Sequence, residues 1–262
     1  MIRSLYTAAS GMNAQQLLVD TISNNIANAN TNSFKEDRVE FADLLYQIIK
    51  DPDAKVDSRA RNILGIQIGL GVKTVATKKN FKAGSPQETG NPTDLMINGS
   101  GFFQVELPNG KIAYTRNGNF NISADGYLTT ADGYKIEPEI IIPEDAEQIT
   151  ITSDGYVLVK VAGEEEPEEV GRIELAYFIN PAGLKNLGGG YYEETVASGE
   201  PKVEYPGEEL TGQLMQGYLE ASNVNVIDQM VSLITAQRGY EMNSKSIQVT
   251  EDMLALIAQL KR

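Results

Sequence analysis

Three aspartates at short intervals, Asp51, Asp53 and Asp57, come nearest to a chemical site in this sequence. Their spacing imitates the start of a calcium-binding loop, in which carboxylate oxygens hold the ion. Such a loop needs Gly at its sixth position and Glu at its twelfth, and Val56 and Asn62 stand there instead. We therefore expect no calcium site, and we interpret the charged, Pro-containing stretch 51–61 as a loop.

The composition restricts other kinds of chemistry. The chain contains no His and no Cys, which removes the commonest general base, the usual zinc ligands and every Ser-His or Cys-His nucleophile pair. Gly65, Gly69 and Gly71 lack the third glycine and the strand-helix-strand setting of a dinucleotide site. We expect no cofactor, no metal and no enzymatic activity. A glycan hydrolase built on two carboxylates is the rival interpretation.

The negative charge is concentrated in the middle of the chain. Of the 262 residues, 36 are acidic and 22 are basic, which gives a net charge of −14. Residues 96–205 hold 19 of the acidic and 7 of the basic residues, whereas residues 1–34 and 224–262 are each neutral. An acidic protein repels nucleic acid and anionic lipid, and no apolar run approaches the roughly 20 residues that cross a bilayer. We expect no nucleic-acid partner and no membrane insertion.

Both ends of the chain repeat apolar residues every seven positions, as helices with a coiled-coil stripe do. The stripe consists of Leu5, Met12, Val19 and Ile26 at the amino end and of Val226, Leu233, Tyr240, Ile247 and Leu254 at the carboxyl end. A second carboxyl series, which begins at Met230, is mixed in polarity. The pattern predicts helices over about residues 3–28 and 224–260, which pair with each other and with copies of the chain.

The middle of the chain has the pattern of a β domain. Six Asn-Gly or Asp-Gly pairs, which favour two-residue hairpin turns, follow one another from Asn98-Gly99 through Asn117-Gly118 to Asp154-Gly155. Between these turns apolar residues alternate, as they do from Val157 to Val161 and from Ile173 to Ile179. The sequence predicts a meander of short strands with one buried face.

Together these patterns predict an α+β fold in three parts. They are a discontinuous helical assembly domain at 1–34 and 224–262, an extended connector at 35–95 and 206–223, and a β-rich outer domain at 96–205. Within the connector we expect a strand at 63–75, with the run 210–221 returning beside it. Both connections between the ends and the middle would then form one neck.

Three stretches closely resemble the flagellar rod and hook family. Ser23–Lys35, which reads SNNIANANTNSFK, is similar to the amino-terminal motif of that family. The entry to its shared β domain is matched by Asp94–Val105 and Tyr114–Gly118, and its carboxyl-terminal signature by Gly217–Val224 and Gln237–Lys245. These motifs span nearly the whole chain in the family's order. Two further stretches, Asp43–Lys50 and Gly65–Val72, resemble the distal-rod members most, with proximal-rod and hook members as the alternative.

Two positions depart from the pattern of the family. Ser33 stands where Gly is common, which could alter the turn that leaves the first helix. Gly239 replaces a more usual Ala, at a cost of about 1 kcal/mol in local helix propensity.

The resemblance implies a structural subunit that stacks helically into a rigid hollow shaft, the distal rod of the flagellar basal body, which transmits torque to the hook. The terminal helices would line its inner wall. The implied partners are further copies of the chain, proximal-rod proteins, the hook protein, outer ring proteins and the flagellar export apparatus. The implied location lies between the periplasmic space and the outer membrane. It would be reached without a cleavable signal peptide, since polar residues such as Gln15, Gln16 and Asp20 interrupt any apolar signal core.

The first stretch also contains the residues that carry the family motif, which are Asn24, Asn25, Asn28, Thr31, Phe34 and Lys35. The asparagines can end the helix, because Asn tolerates the left-handed region, or they can hydrogen-bond neighbouring chains. We expect the segment from about Tyr46 to Gly71 to pack between subunits and limit bending, with a plain surface loop as the alternative. The acidic run Glu164–Glu169 is expected to be a solvated hairpin tip.

Overall fold

The computed structural model describes residues 2–50, 55–57, 60–61, 65–161 and 167–260. The chain divides into two compact units, each with both early and late segments of the sequence. The helical unit comprises Met1–Ala27, Asp37–Lys79 and Asn225–Arg262, and the β unit comprises Asn28–Glu36 and Asn80–Val224. The α+β class predicted from the sequence is confirmed, and the three-part division stays a prediction.

Both long helices of the helical unit were predicted from the heptad pattern, and both are confirmed. Helix α1 spans Ile2–Ala27 and helix α2 spans Val226–Leu260. Asn225 caps α2, since its Oδ1 accepts a hydrogen bond from the N–H of Ile227 at 3.1 Å and its carbonyl accepts one from Gln229 at 3.0 Å. These bonds satisfy N–H groups that a helix start otherwise leaves without partners.

A long two-stranded ribbon completes the helical unit. Its strands are β1 (Asp37–Asp43), β2 (Tyr46–Lys50), β3 (Lys55–Asp57), β4 (Ala60–Arg61), β5 (Ile66–Gly69) and β6 (Val72–Lys79). The pairs are β1 with β6, β2 with β5 and β3 with β4, all antiparallel. Strands β1 and β6 lie against α1. Of the predicted loop 51–61, the described residues form β3 and β4, whereas Asp51 and Asp53 lie outside the described residues.

The β unit is built from short strands. They are β7 (Pro86–Glu88), β8 (Leu95–Asn98), β9 (Phe102–Glu106), β10 (Ile112–Thr115), β11 (Phe120–Ile122), β12 (Leu128–Thr130), β13 (Lys135–Glu137), β14 (Ala146–Ile151), β15 (Tyr156–Val161), β16 (Glu168–Arg172), β17 (Leu175–Tyr177), β18 (Lys185–Gly188), β19 (Tyr191–Glu193), β20 (Lys202–Glu204), β21 (Gln213–Gln216) and β22 (Tyr218–Glu220). The largest sheet has the order β11-β12-β13-β9-β10-β19-β18, and β17 joins it to β20. Strands β14, β15 and β16 form a second sheet. Of the acidic run, Glu164–Glu166 lie outside the described residues, and Glu168 and Glu169 are the first, exposed residues of β16.

The run 210–221 does not return beside 63–75 as expected. Its strands pair elsewhere, β21 with β8 and β22 with β7, so that it belongs to the β unit. The strands of the 63–75 region, β5 and β6, pair with β2 and β1 in the helical unit. The expected pairing was wrong because strand partners depend on long-range contacts, which the local pattern does not specify.

Apolar side chains are buried on both faces of the main sheet of the β unit. Phe103 and Val105 of β9 belong to the larger apolar cluster, whereas Phe102 packs on the other face with Phe178 and Tyr192. The Phe102 and Phe178 rings meet edge to face at 5.7 Å. The prediction of one buried face is therefore wrong for the centre of the sheet. For the same reason the alternation expected at Ile173–Ile179 fails, with Ala176 and Phe178 buried and Ile179 exposed.

Most of the predicted turns are confirmed. Gly110, Gly126, Gly133 and Gly155 have positive φ, and each donates its N–H to the carbonyl three residues earlier. Asn98-Gly99 and Asn117-Gly118 are exceptions, since β8 does not pair with β9 and β10 does not pair with β11. A Cβ at Gly118 would collide with the carbonyl oxygen of Leu95. That glycine permits a close backbone approach rather than a hairpin turn.

Candidate functional site

The segment that follows α1 is fixed inside the β unit by Ser33. This residue has a φ of 59°, in the left-handed region that glycine reaches without strain. Its N–H donates to the carbonyl of Glu220 at 2.7 Å, and its Oγ donates to the carbonyl of Arg116 at 2.8 Å. The positive φ explains why glycine suits this position. The serine hydroxyl adds a hydrogen bond that glycine cannot make.

Glu220, at the end of β22, is the centre of a buried ion cluster. Its Oε1 accepts hydrogen bonds from Lys35 Nζ at 2.6 Å and from the N–H of Gly84 at 2.8 Å. Its Oε2 lies 3.6 Å from Arg116 Nε. The side chains of Lys35, Arg116 and Glu220 are 0%, 4% and 1% exposed. Two cations therefore share one carboxylate away from water.

Other donors of both cations bind main-chain carbonyls, whereas Arg116 Nε and Glu220 Oε2 are buried without a hydrogen bond and interact only as an ion pair. Lys35 Nζ donates to the carbonyl of Lys82 at 2.8 Å. Arg116 Nη1 donates to the carbonyls of Gly99 and Gly101 at 2.7 and 3.0 Å. Buried charges are tolerated only when such bonds compensate the loss of water. The cluster thus ties loops that are far apart in the sequence.

Asn223 performs the same task on the segment that precedes α2. Its Oδ1 accepts the N–H of Glu36 at 2.8 Å, and its Nδ2 donates to the carbonyl of Asn80 at 2.7 Å. Close by, a Cβ at Gly84 would collide with the carbonyl oxygen of Ala221. We call Ser33, Lys35, Arg116, Glu220 and Asn223 the motif clamp, because each belongs to one of the three resembling stretches.

The side chains of the motif clamp act by holding chain segments in place. Burial lowers the pKa of Lys35, and the attraction of Glu220 opposes part of this shift. A lysine with a lowered pKa can be a nucleophile, but Nζ of Lys35 is fully buried and already donates to Glu220 and Lys82. The clamp fixes the chain segments after α1 and before α2 in the β unit.

Asn25 has a comparable role within the helical unit. Its Oδ1 accepts the N–H of Asp37 at 3.0 Å and its Nδ2 donates to the carbonyl of Asp37 at 2.9 Å. The same Nδ2 lies 3.3 Å from Oε1 of Gln229 in α2. Asn25 is 1% exposed, so its side chain joins α1, the start of the ribbon and α2 within one chain rather than reaching a neighbouring chain.

The two helices pack against each other in antiparallel orientation, and two glycines lie at their contact. A Cβ at Gly11 would lie 2.8 Å from the side chain of Asn243, and one at Gly239 would lie 3.2 Å from Gln15. The buried residues of the two helices are Ala8, Ala14, Ile22, Asn25, Gln229, Ala236 and Thr250. Most of them are small or polar. The pairing therefore buries little apolar surface for two helices of 26 and 35 residues.

A second stripe of α2 has no partner among the described residues. It consists of Met242, Ser246, Val249, Met253 and Leu256, spaced by 4, 3, 4 and 3 residues, and we call it the outer seam. Its apolar members are 49% to 67% exposed. The spacing is that of a coiled-coil seam. At 3.6 residues per turn, the outer seam lies about 120° around the helix from Ala236, which faces α1.

Comparisons with known proteins match the same three parts of the sequence. A model described as "Flagella basal body rod protein" matches residues 5–35, one described as "Flagellar hook protein FlgE/F/G D1 domain" matches 96–159, and one described as "Flagellar basal body rod FlgEFG protein C-terminal" matches 215–260. The flagellar basal-body rod protein FlgG of Borreliella burgdorferi is 47% identical over 264 residues, with 100% of both chains covered. FlgG of Caulobacter vibrioides is 46% identical, with 99% of this chain and 100% of the relative covered.

This chain belongs to the flagellar basal-body rod protein family. Two relatives from Bacillus subtilis show which type of family member this chain resembles more. The rod protein FlgG of that organism is 39% identical to this chain, and the flagellar hook-basal body complex protein FlhP is 29% identical, each with 100% of both chains covered. The likeness is thus greater to the FlgG type of rod protein than to FlhP.

The three matched parts of this rod protein meet in the motif clamp. Ser33 and Lys35 come from the first part, Arg116 from the second, and Glu220 and Asn223 from the third. The family resemblance includes these stretches, but the sequence pattern assigns no role to Arg116, Glu220 or Asn223. Their only signal was a charged or amide side chain within each resembling stretch, which does not specify contacts between them.

The predicted assembly residues fall into two groups in this rod protein. The half-buried ones are Leu5, Met12, Val19, Ile26, Leu233 and Ile247. The exposed ones are Val226, Met230, Tyr240 and Leu254. In α2 the buried residues that face α1 are Gln229, Ala236 and Thr250. Each of them lies one residue before a member of the predicted seven-residue series that begins at Met230. A role of the predicted residues in assembly stays a prediction.

The remaining motif residues lie near the end of α1. Asn24 and Thr31 are exposed, Asn28 and Phe34 are half-buried, and Lys35 is buried in the motif clamp. Thr31 Oγ1 donates to Oδ1 of Asn28 at 3.2 Å, and Phe34 N–H donates to the carbonyl of Thr31 at 3.2 Å. These bonds lie in the turns that follow α1. The roles expected of the asparagines, in ending the helix or in hydrogen-bonding neighbouring chains, stay predictions.

Neither a metal centre nor a membrane span is found in the described part of this rod protein. No group of three or more acidic side chains there is placed to hold a metal ion. Neither of its long helices is apolar enough to cross a membrane.

Proposed function

We propose that this chain is a structural subunit of the distal rod of the flagellar basal body and has no enzymatic activity. Copies of it would assemble helically into a rigid hollow shaft that transmits torque to the hook. Family membership supports the basal body as its place, and the likeness to FlgG proteins over the full chain supports the distal rod. The proximal rod and the hook are the alternative positions.

The outer seam carries the assembly part of this proposal. The apolar side chains of the outer seam have the spacing of a coiled-coil seam and are 49% to 67% exposed. Exposing such an apolar stripe to water is unfavourable. Each such side chain gains about 1.5 to 3 kcal/mol when it is fully buried. A copy of the same helix offers a seam of matching period. Helical stacking would repeat this contact along the shaft.

Purified protein examined by electron microscopy at high concentration tests the proposal. We expect straight filaments with a central channel, because assembly covers the seam of every copy except those at the ends. Protein that stays monomeric at all concentrations, with both helices docked on its own chain, would refute the proposal.

Circular dichroism before and after polymerisation checks a related prediction about the helices. We expect residues 1 to about 30 and about 226 to 262 to be largely disordered in the free monomer and to fold on assembly. The interface between α1 and α2 supports this, since most of its buried residues are small or polar. Helix content should therefore rise on polymerisation. Equal helix content in the two states would contradict the prediction.

Further partners and the route of export follow from the same proposal. Proximal-rod proteins and the hook protein would contact the two ends of the shaft, and outer ring proteins would surround it. The flagellar export apparatus would deliver the subunit to a place between the periplasmic space and the outer membrane. The ribbon from about Tyr46 to Gly71 would pack between subunits and limit bending.

A further inference from the structure

Two of the four apolar side chains in the outer seam are thioethers. Met242 is 67% exposed and Met253 is 49% exposed in the single chain. They are eleven residues apart, which is about 16 Å along α2. Met230, the third methionine of this helix, is 54% exposed but lies about 120° around the helix from Met242. Among the buried apolar residues of the described part of the chain, Met96 is the one methionine.

The composition leaves methionine as the side chain that peroxide oxidises in this chain. Cys, His and Trp, which also react with oxidants, are all absent. A thiol would react with peroxide more readily than a thioether and would consume it first. Without thiols, the order of reaction among the methionines depends on how far water and peroxide reach each sulfur. Met242 and Met253 should therefore react well before Met96, which is 3% exposed.

Oxidation changes a methionine of the seam from apolar to polar. The sulfur lone pair attacks one oxygen of hydrogen peroxide, an S–O bond forms and the O–O bond breaks. The sulfur loses two electrons and becomes a sulfoxide, while the leaving hydroxide takes up the remaining proton and becomes water. The new oxygen is a strong hydrogen-bond acceptor, and burying it without a donor is unfavourable. Ser246 gives the seam one hydroxyl per copy, which is fewer than the two sulfoxide oxygens.

We propose that Met242 and Met253 form an oxidation-sensitive site that controls whether a copy can join the polymer. In the free chain, hydrogen peroxide converts both residues to sulfoxides, and the oxidised copy no longer buries its outer seam against another copy. In the polymer both thioethers are covered and escape oxidation. The inference rests on the proposed function, because the seam must be buried between copies. Its consequence is that damaged copies stay out of the shaft, whereas copies already inside it keep their contacts.

Sedimentation of the full chain before and after peroxide treatment tests the effect on assembly. The chain is treated below the concentration at which it polymerises, and peptide mass spectrometry locates the sulfoxides. We expect the concentration needed for polymerisation to rise at least about 100-fold, since each sulfoxide forfeits the gain from burying one thioether. Methionine sulfoxide reductases of both epimer specificities should restore polymerisation. A chain with sulfoxides at both positions that polymerises like the untreated chain would overturn the inference.

A leucine variant assigns the effect to these two residues. Met242→Leu combined with Met253→Leu keeps apolar side chains of similar volume in the seam, and it retains Met12, Met215 and Met230. We expect this variant to polymerise equally well with and without peroxide. If peroxide blocks it as strongly as the unmodified chain, other methionines are responsible and the inference is wrong. Recovery with the reductases is an independent measurement, which needs no variant to assemble.

Protection in the polymer is the last measurement. We expect Met242 and Met253 to be oxidised at least about tenfold more slowly in polymer than in the free chain, because access of peroxide determines the rate. Oxidation of both at the free-chain rate would mean that the seam is not covered by a copy, which overturns the inference although polymer forms. Failure of the untreated chain to polymerise would instead overturn the proposed function, and the inference with it.

Discussion

Replacing Glu220 with alanine should lower the free energy of unfolding of the β unit by about 3 to 5 kcal/mol. The substitution removes the one carboxylate that Lys35 and Arg116 share, and it leaves two buried positive charges without a counterion. Removing one partner of a buried ion pair has a cost of this size because the remaining charge is no longer compensated. The N–H of Gly84 also loses its acceptor.

Near-ultraviolet circular dichroism of tyrosine during urea unfolding of the full chain measures this loss. The signal reports the β unit, because its Tyr114 and Tyr192 are buried, whereas Tyr6, Tyr46 and Tyr240 of the helical unit are exposed. Glu193→Ala is the matched control. Its ion pairs with Lys111 and Lys185 involve exposed lysines, so it should leave the free energy of unfolding nearly unchanged.

A double variant separates the effect of charge from that of packing. Lys35→Met combined with Glu220→Leu removes a buried cation together with the anion and keeps similar side-chain volume. If uncompensated charge causes the loss, the double variant should be more stable than Glu220→Ala. A double variant that is no more stable would mean that the clamp acts through shape alone.

The pH dependence of Glu220→Ala should have a definite sign. Burial lowers the pKa of Lys35 in the folded protein below its usual value of 10.5, and loss of Glu220 removes an interaction that raises this pKa. Below the folded-state pKa, the buried charge lowers stability. As the pH rises through that pKa towards 10.5, the folded chain loses the proton that the unfolded chain still binds, so the deficit shrinks. A deficit that grows with pH over this range would contradict the role given to Lys35.

The sequence predicts well those features that depend on neighbouring residues. The helices follow from the heptads, and turns such as that at Gly110 follow from the Asn-Gly pairs, because both patterns act over a few residues. The face by which α2 meets α1 was not predictable in the same way. Its buried residues Gln229, Ala236 and Thr250 are small or polar, and they fit because Gly11 and Gly239 allow the helices to approach closely.

The motif clamp lies beyond what the local pattern can predict. Lys35 and Glu220 are separated by 185 positions in the chain, and Ser33 and Arg116 by 83. Resemblance to the family marked the stretches that contain them, without indicating which side chains meet. The return of 210–221 shows the same limit, because β21 and β22 pair with β8 and β7 rather than with the strands around 63–75. Such pairings depend on the register of the whole fold.

Placing a carboxylate in the outer seam should prevent assembly while leaving the subunit folded. In Val249→Glu, a side chain that is 51% exposed in the single chain would be buried against another copy. The substitution loses the apolar gain and adds an unpaired charge, together about 3 kcal/mol. Since 1.4 kcal/mol is a factor of ten in affinity, the concentration needed for polymerisation should rise about 100-fold. Sedimentation of polymer over a concentration series measures it.

Gln248→Glu is the matched control for this prediction. It adds the same charge one residue earlier, at an exposed polar position about 100° around the helix from Val249. Its polymerisation should match that of the unmodified chain, and both variants should retain the tyrosine signal of the β unit. Because the two substitutions share charge and helix environment, only burial of the seam distinguishes them. Equal loss of assembly in both would mean that added charge on α2 suffices, and normal assembly of Val249→Glu would mean that the outer seam stays in solvent.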